Sequence, residues 1–150
     1  MVIILKSIGR VHSPFENKQD IKTEKLATRT DFDQIEGELE IDDEFSEGLT
    51  DIEDFSHVIV IFGFHKSEGF ELLTTPPHDK TPRGVFATRS SHRPNPIGMT
   101  ILKIIERKHN ILHVSGMDMI EGTPILDIKP YTPRDRKEEI EIGGLSDKIK

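Results

Sequence analysis

At 150 residues without cysteine, the chain is long enough for one domain that buries about 68–70% of its unfolded surface unaided, and disulfides, thiolate metal sites and a cysteine nucleophile are excluded. A net charge of −7 argues against nucleic acid, whose affinity rests on phosphate neutralisation by Lys and Arg. The charge is uneven, however: residues 31–54 hold twelve of the 27 acids and none of the 20 Lys and Arg, which leaves fifteen acids against twenty bases elsewhere. The remaining surface can present a basic face, and His78, Lys80, Arg83, Arg89, His92 and Arg93 cluster in sequence where it would serve an RNA partner.

Met1–Leu5 is apolar but interrupted at Lys6, too short for a signal peptide or membrane span, so a soluble, cytoplasmic protein is expected. Val2–Ser13 reads as one strand, broken at Gly9, and Ser13-Pro14-Phe15 ends it. Residues 16–34 show no period and read as a long, mobile loop. Gly37–Ile41 alternates as a second strand with Leu39 and Ile41 inward. Phe45, Leu49, Ile52 and Phe55 then recur at spacings of 3 and 4, which predicts a short amphipathic helix or helical turn. Its carboxylates form a solvated face, because no Asp-x-Asp-x-Asp-Gly loop supports a metal site. Val58–Phe62 is a continuous apolar run and the candidate for a fully buried central strand, leading to Phe64-His65-Lys66. Residues 67–83, with Pro76, Pro77 and Pro82, form a second long loop.

The most chemically loaded stretch is Gly84–Gly98. It opens as a strand with Val85 and Ala87 on one face and Phe86 on the other. A rigid loop follows, in which Pro94 and Pro96 fix their own φ and push Arg93 and Asn95 toward extended geometry. Arg89 and Arg93 suit planar recognition of a carboxylate or phosphate, and Thr88, Ser90, Ser91 and Asn95 add short-range donors and acceptors. Met99–Ile105 and Ile111–Ser115 read as a hairpin around a charged turn, and Gly122 in Glu121-Gly-Thr-Pro124 lets backbone approach a ligand before a strand restarts. One more strand, Glu139–Ile142, is expected before Gly143-Gly144. The strands 2–13, 37–41, 57–64, 84–88, 98–107, 110–116 and 124–129 lack the β–helix alternation of a parallel sheet, so the fold class is mostly β, a small antiparallel barrel of about seven strands with long loops. No Gly-x-Gly-x-x-Gly follows an early strand, which argues against a Rossmann-type fold.

The segment Gly84-Val-Phe-Ala-Thr-Arg-Ser-Ser-His-Arg-Pro-Asn-Pro-Ile-Gly-Met99 resembles the signature of the TsaA-like family, the S-adenosylmethionine-dependent tRNA N6-threonylcarbamoyladenosine methyltransferases. Ile8-Gly-Arg-Val-His-Ser-Pro-Phe15 is similar to that family's opening motif. Gly116-Met-Asp-Met-Ile-Glu-Gly-Thr-Pro-Ile-Leu-Asp-Ile-Lys-Pro-Tyr131 is similar to its Asp-x-x-Asp-Gly-Thr-Pro and Asp-Ile-Lys-Pro-Tyr segment, with Glu121 where Asp is usual. The family's Pro-Arg-Gln-like cluster has no clear equivalent in residues 16–34, so no contact is carried over there. The resemblance spans roughly residues 5–133, whereas long family members continue into a further C-terminal domain.

This resemblance implies a barrel domain at 1–133 with 134–150 as its charged extension, a homodimer, S-adenosyl-L-methionine as cofactor and tRNA as partner. Cofactor contacts are implied for His65, Lys66, Arg89, Ile101, Glu121, Gly122, Thr123 and Pro124. Arg93, Asn95, Asp127, Lys129 and Tyr131 are candidates for the acceptor side, and no metal is implied. The acceptor would be N6 of threonylcarbamoyladenosine at position 37 of tRNA, whose threonyl carboxylate gives a reason for Arg93 as a second arginine. Two alternatives stay open: a module that binds S-adenosylmethionine without methylating tRNA, and a methyltransferase with a different small-molecule acceptor.

Overall fold

The computed structural model describes residues 1–23, 29–76 and 80–143. Its strands are β1 (Gly9–His12), β2 (Glu36–Ile41), β3 (His57–Gly63), β4 (Leu73–Thr74), β5 (Arg83–Gly84), β6 (Ile97–Lys108), β7 (Ile111–Ser115) and β8 (Pro124–Pro130). Six of them close into an antiparallel barrel in the order β1-β2-β7-β6-β3-β8, and β4 with β5 makes a separate two-stranded ribbon. Alternation drives the closure, since one face of each strand must leave water. Val11, Leu39, Val58, Val60, Leu102, Leu112, Val114 and Ile125 are fully buried on that inner face, joined by Leu49, Met117 and Met119 from the connections.

The β6–β7 hairpin matches the sequence reading to within three residues. His109 takes φ 55° in its turn, and Asn110 bonds both ways with Ile41 of the neighbouring strand, donating from Nδ2 (2.8 Å) and accepting on its carbonyl (2.9 Å). The barrel closes at a thin seam. β1 meets β8 at two register pairs, Gly9↔Ile125 and Arg10↔Pro124, whereas β3 and β6 pair from His57↔Lys103 to Gly63↔Ile97. Gly9 is required there by close approach, because a Cβ would run into the Glu40 carbonyl oxygen.

The first strand is shorter than expected. The ladder ends at Ile8, whose N–H donates to the Ile125 carbonyl (2.8 Å) and whose carbonyl accepts from Asp42 N–H (2.9 Å), because past Ile41 the chain leaves the sheet for a 3-10 turn at Asp43–Leu49. Val2, Ile3 and Ile4 are consequently exposed. The strand expected at 84–88 stops at Gly84, the end of β5. Val85–Ala87 forms a 3-10 turn, closed by the Thr88 N–H and Oγ1 both donating to the Val85 carbonyl, which buries Val85 and leaves Phe86 and Ala87 outside. A threonine hydroxyl bonding to a carbonyl three residues back competes with the strand ladder that β-branched residues otherwise favour.

Three further expectations are corrected. The 16–34 stretch carries helix α1 (Lys18–Thr23) and a 3-10 turn at Arg29–Gln34, while 24–28 lie outside the described residues. The helix starts where Asn17 Oδ1 accepts from the Gln19 and Asp20 N–H and Asp20 Oδ2 accepts from Glu16 and Asn17, a local capping signal that a search for periodicity passes over. β3 is central but not fully buried: Val58, Val60 and Phe62 point inward, while Ile59 and Ile61 stay half-buried on the outer wall. Glu139–Ile142 forms no strand. The helical turn around Phe45, Leu49 and Ile52 is present as 3-10 segments at Asp43–Leu49 and Ile52–Asp54, with Phe55 exposed.

Candidate functional site

The signature loop is held by its own side chains. Arg93 Nη1 donates to the carbonyls of Thr88 (3.0 Å) and Ser90 (3.2 Å), so this arginine closes the loop on itself. Arg89 is exposed and runs the other way, its Nη2 donating to the Met99 carbonyl on β6 at 3.2 Å. Asn95, between Pro94 and Pro96, is exposed, and the Pro96 carbonyl accepts from Phe64 N–H at 2.8 Å, pinning the loop to the end of β3. Ser67 adds a second pin, within 3.0 Å of the Ser91 carbonyl and 2.6 Å of His92 Nδ1. His78 of the basic cluster lies outside the described residues.

At the same end of the barrel, β3 finishes beside the start of β8. Phe62 pairs with Ile125, and a Cβ on Gly63 would stand 3.4 Å from Pro124 Cγ. His65 and Lys66 therefore emerge next to the Glu121–Pro124 turn, and both segments rest on residues 13–16: Lys66 Nζ donates to the Glu16 carbonyl at 3.3 Å, and Glu121 N–H donates to the Phe15 carbonyl at 2.7 Å. His65 is exposed as a residue, yet partial burial of its ring, followed by the Lys66 charge, lowers its pKa and favours neutral imidazole. Gly122 has φ 80° with no heavy atom within 4 Å of where a Cβ would stand, so the turn offers bare backbone to whatever approaches. Thr123 is buried, its hydroxyl donating to the Ile120 carbonyl at 2.7 Å.

The Glu121 carboxylate is held from two sides, and the histidine that holds it is itself bridged to a second carboxylate. Glu121 Oε1 lies 2.8 Å from His12 Nδ1, its Oε2 accepts from Ser13 N–H at 2.9 Å, and His12 Nε2 is 3.2 Å from Glu40 Oε1. Burial alone would raise its pKa, but the Ser13 and His12 hydrogen bonds outweigh that and hold the carboxyl below the usual range. Nothing in the sequence ties His12 or Glu40 to Glu121. Only strand register brings residues 28 and 109 positions apart from His12 onto one imidazole.

The remaining candidates occupy the outer wall. Ile101 and Met99 face Ile59 and Ile61 across β6 and β3, which in turn face Lys129 and Asp127 on β8. Asp127 and Lys129 form an exposed ion pair at 2.7 Å, and this pairing raises the Lys129 pKa. Tyr131, half-buried, packs edge-on to His57 at 6.1 Å and donates its N–H to the His57 carbonyl. The implied residues thus form two groups, His65, Lys66 and the Glu121–Pro124 turn at the barrel end, and Ile101, Asp127 and Lys129 along the wall, with Arg89 bonded to the wall strand. The described residues also form a recess of about 340 Å³ between Glu68, Phe70, Glu71 and Thr74 on one side and Ser90 and His92 of the signature loop on the other. It was not foreseen, because residues 67–83 carry only breaker signals in sequence.

A family model, the tRNA-methyltransferase O N-terminal domain, matches residues 10–135. The chain belongs to that family. It is 44% identical over 150 residues to a probable S-adenosyl-L-methionine-binding protein of Pyrococcus abyssi, spanning 99% of this chain and 79% of that one. It is 33% identical over 138 residues to the tRNA (adenine(37)-N6)-methyltransferase of Escherichia coli, covering 85% of this chain and 57% of the relative. The crystal structure of TrmO from Pseudomonas aeruginosa superposes with a TM-score of 0.78 at 33% identity, covering 96% of this chain and 63% of the other. The chain therefore spans less than two thirds of that solved TrmO.

Proposed function

We propose that this chain is an S-adenosyl-L-methionine-dependent methyltransferase acting on N6 of threonylcarbamoyladenosine at position 37 of tRNA, working in the cytoplasm as a homodimer. The observation that carries the reading is the convergence of His65, Lys66 and the Glu121–Pro124 turn on the ends of β3 and β8, with the proline-stiffened loop pinned to the same end. Residues 1–133 would be the cofactor-binding domain and 134–150 its charged extension.

The donor set fits a molecule bearing a carboxylate, an ammonium and a sulfonium. Lys66 and Arg89 are exposed cations for the carboxylate, and the open backbone at Gly122 admits a close approach. When bound, S-adenosylmethionine supplies an activated methyl with its own leaving group, so positioning and electrostatics are the protein's contribution. Asn95, fixed between two prolines, presents its amide with little conformational freedom and loses little entropy when an acceptor docks. Arg93 serves this end by keeping the loop folded, which changes its role from ligand to support. A homodimer is supported by exposed Phe70, Leu72, Leu73 and Phe86 around the ribbon and signature loop, an apolar surface that a second copy would cover. No helix among the described residues is long and apolar enough to cross a membrane.

The test is methyl transfer from labelled S-adenosylmethionine to tRNA bearing threonylcarbamoyladenosine, with unmodified tRNA and the Arg89→Ala protein alongside. Label in the modified tRNA alone, lost in the variant, supports the reading; binding of the cofactor with no label in any tRNA refutes it. That second outcome would favour a binding module, a reading supported by the archaeal relatives named S-adenosyl-L-methionine-binding proteins, of which this chain covers 79% and 91% of the length.

A further inference from the structure

We propose that His12 is a positioning residue: bridging the carboxylates of Glu40 and Glu121, it holds the Glu121–Pro124 turn in the shape that receives the cofactor. The inference rests on the reading that this turn is part of the cofactor site.

The geometry defines the state of the ring. Ionised carboxylates only accept hydrogen bonds, so contacts of 2.8 Å from Nδ1 and 3.2 Å from Nε2 are both made only when both ring nitrogens carry a proton. The bridge is complete when His12 is imidazolium. Neutral His12 presents one lone pair to a carboxylate, and one arm of the bridge opens. Both Glu121 oxygens point back to β1, one to His12 and one to the Ser13 N–H, so this carboxylate acts on the turn rather than on a ligand. The backbone around it is stitched to the same strand end by Gly122 N–H on the Val11 carbonyl (2.9 Å), and Ser13 Oγ bonds the Met119 carbonyl (2.6 Å). A shift of Glu121 therefore moves the backbone of Gly122, the open point of the turn.

The charged groups facing His12 come from each neighbouring element. Arg10 on β1 pairs with Glu40 at 3.0 Å, Glu38 stands opposite His12 in the β1–β2 register, and Glu121 comes from the turn before β8. The hydrogen bond to Glu121 raises the His12 pKa above 6.5, burial opposes it, and Glu40 adds to the rise. The His12 side chain is 32% exposed, so solvent protons reach it. His65, at the same end, also titrates, but its pKa moves down.

The experiment is calorimetric titration of the whole chain with S-adenosylhomocysteine from about pH 5.5 to 8.5, the range in which histidine changes charge. The proteins compared are the wild type, His12→Arg, His12→Ala and Glu40→Gln. Arginine keeps a permanent cation between the carboxylates. The expected result is an affinity that falls about three- to tenfold as His12 deprotonates, the effect of one charge-assisted hydrogen bond at a partly solvated site. That fall disappears in His12→Arg, where the His65 contribution survives and is read separately. It moves to lower pH in Glu40→Gln. His12→Ala is weak throughout. Equal pH profiles for the wild type and His12→Arg overturn the proposal while the cofactor site stands. Absence of ligand binding by the wild type at every pH overturns the reading of the turn as well. If His12→Ala unfolds, the arginine and glutamine variants still decide.

Discussion

Gly98→Ala tests how the signature loop is joined to the core. Gly98 faces Phe62 across β6 and β3, and a Cβ there would sit 2.5 Å from Phe62 Cζ and 2.7 Å from both Phe62 Cε2 and Phe64 Cζ. The backbone at Gly98 is not left-handed, so alanine meets steric crowding rather than torsional strain. Phe62 is 7% exposed and locked among core side chains, while Phe64, at 5.1 Å and 78° to it, is the ring that must swing. Overpacking costs about 1–3 kcal/mol, partly offset by about 0.4–1 kcal/mol from the stiffer unfolded chain, for a net loss of about 1–2 kcal/mol. At a urea m-value of about 1–3 kcal/mol/M the unfolding midpoint falls by roughly 0.3–2 M. Gly48→Ala, where a Cβ meets nothing within 4 Å, is the control and leaves the midpoint in place or raises it. Phe64→Leu in the Gly98→Ala background recovers part of the loss, because one of the two crowding rings is gone and Phe62 can shift into the space. An unchanged midpoint in Gly98→Ala, or a loss that Phe64→Leu does not reduce, would refute the argument from close packing. The same displacement of Phe64 shifts His65, so cofactor affinity falls with stability.

Leu102→Ala, at a fully buried position, lowers stability by about 2–5 kcal/mol in urea unfolding. Lys129→Met breaks an exposed ion pair and leaves the urea midpoint unchanged within error, so any effect on methyl transfer reports function rather than folding. The His12 bridge makes stability depend on pH from both sides. The raised His12 pKa gives a contribution that is complete below 6.5 and is lost as pH rises through the folded value. The lowered Glu121 and Glu40 pKa values give contributions present above 4.5 and lost as pH falls through their folded values. Thermal melts should therefore peak between these limits, and His12→Arg should lose the alkaline decline while keeping the acid one. Lys80→Ala, at an exposed position ahead of the signature, should weaken tRNA binding and reduce the slope of log affinity against log salt by about 1; an unchanged slope would remove Lys80 from the RNA face.

Much of the barrel was legible because its information is local. Alternation in Gly37–Ile41, Met99–Ile105 and Ile111–Ser115 marks a strand wherever one face leaves water, and these strands stand where they were expected. The errors fall where a local hydrogen bond or a missing neighbour overrides pattern. Thr88 turns Val85–Ala87 into a 3-10 turn, Asn17 and Asp20 start a helix in a stretch without period, and Val2–Ile4 is β-prone but has no strand beside it. The open outer face of β3 was misread because a continuous apolar run looks the same whether both faces or one are covered.

Of the site, the chemical inventory is readable from residue order alone: a proline-stiffened loop bearing Arg89, Arg93 and Asn95, a glycine turn at 121–124, and a histidine and lysine after a central strand. Residue type and short-range spacing suffice for that, since proline fixes φ and glycine opens the backbone wherever they stand. Which of these groups meet, and which are used up internally, is visible in the folded chain alone. Arg93 is committed to the carbonyls of its own loop and Glu121 to His12 and Ser13, whereas Arg89 stays exposed with a single bond to β6. Those partners depend on the register of β1 against β2 and on closure of β1 onto β8, which set the positions of residues far apart in sequence. The reason is physical: strand pairing and barrel closure are cooperative properties of the whole sheet, and no window of sequence contains them.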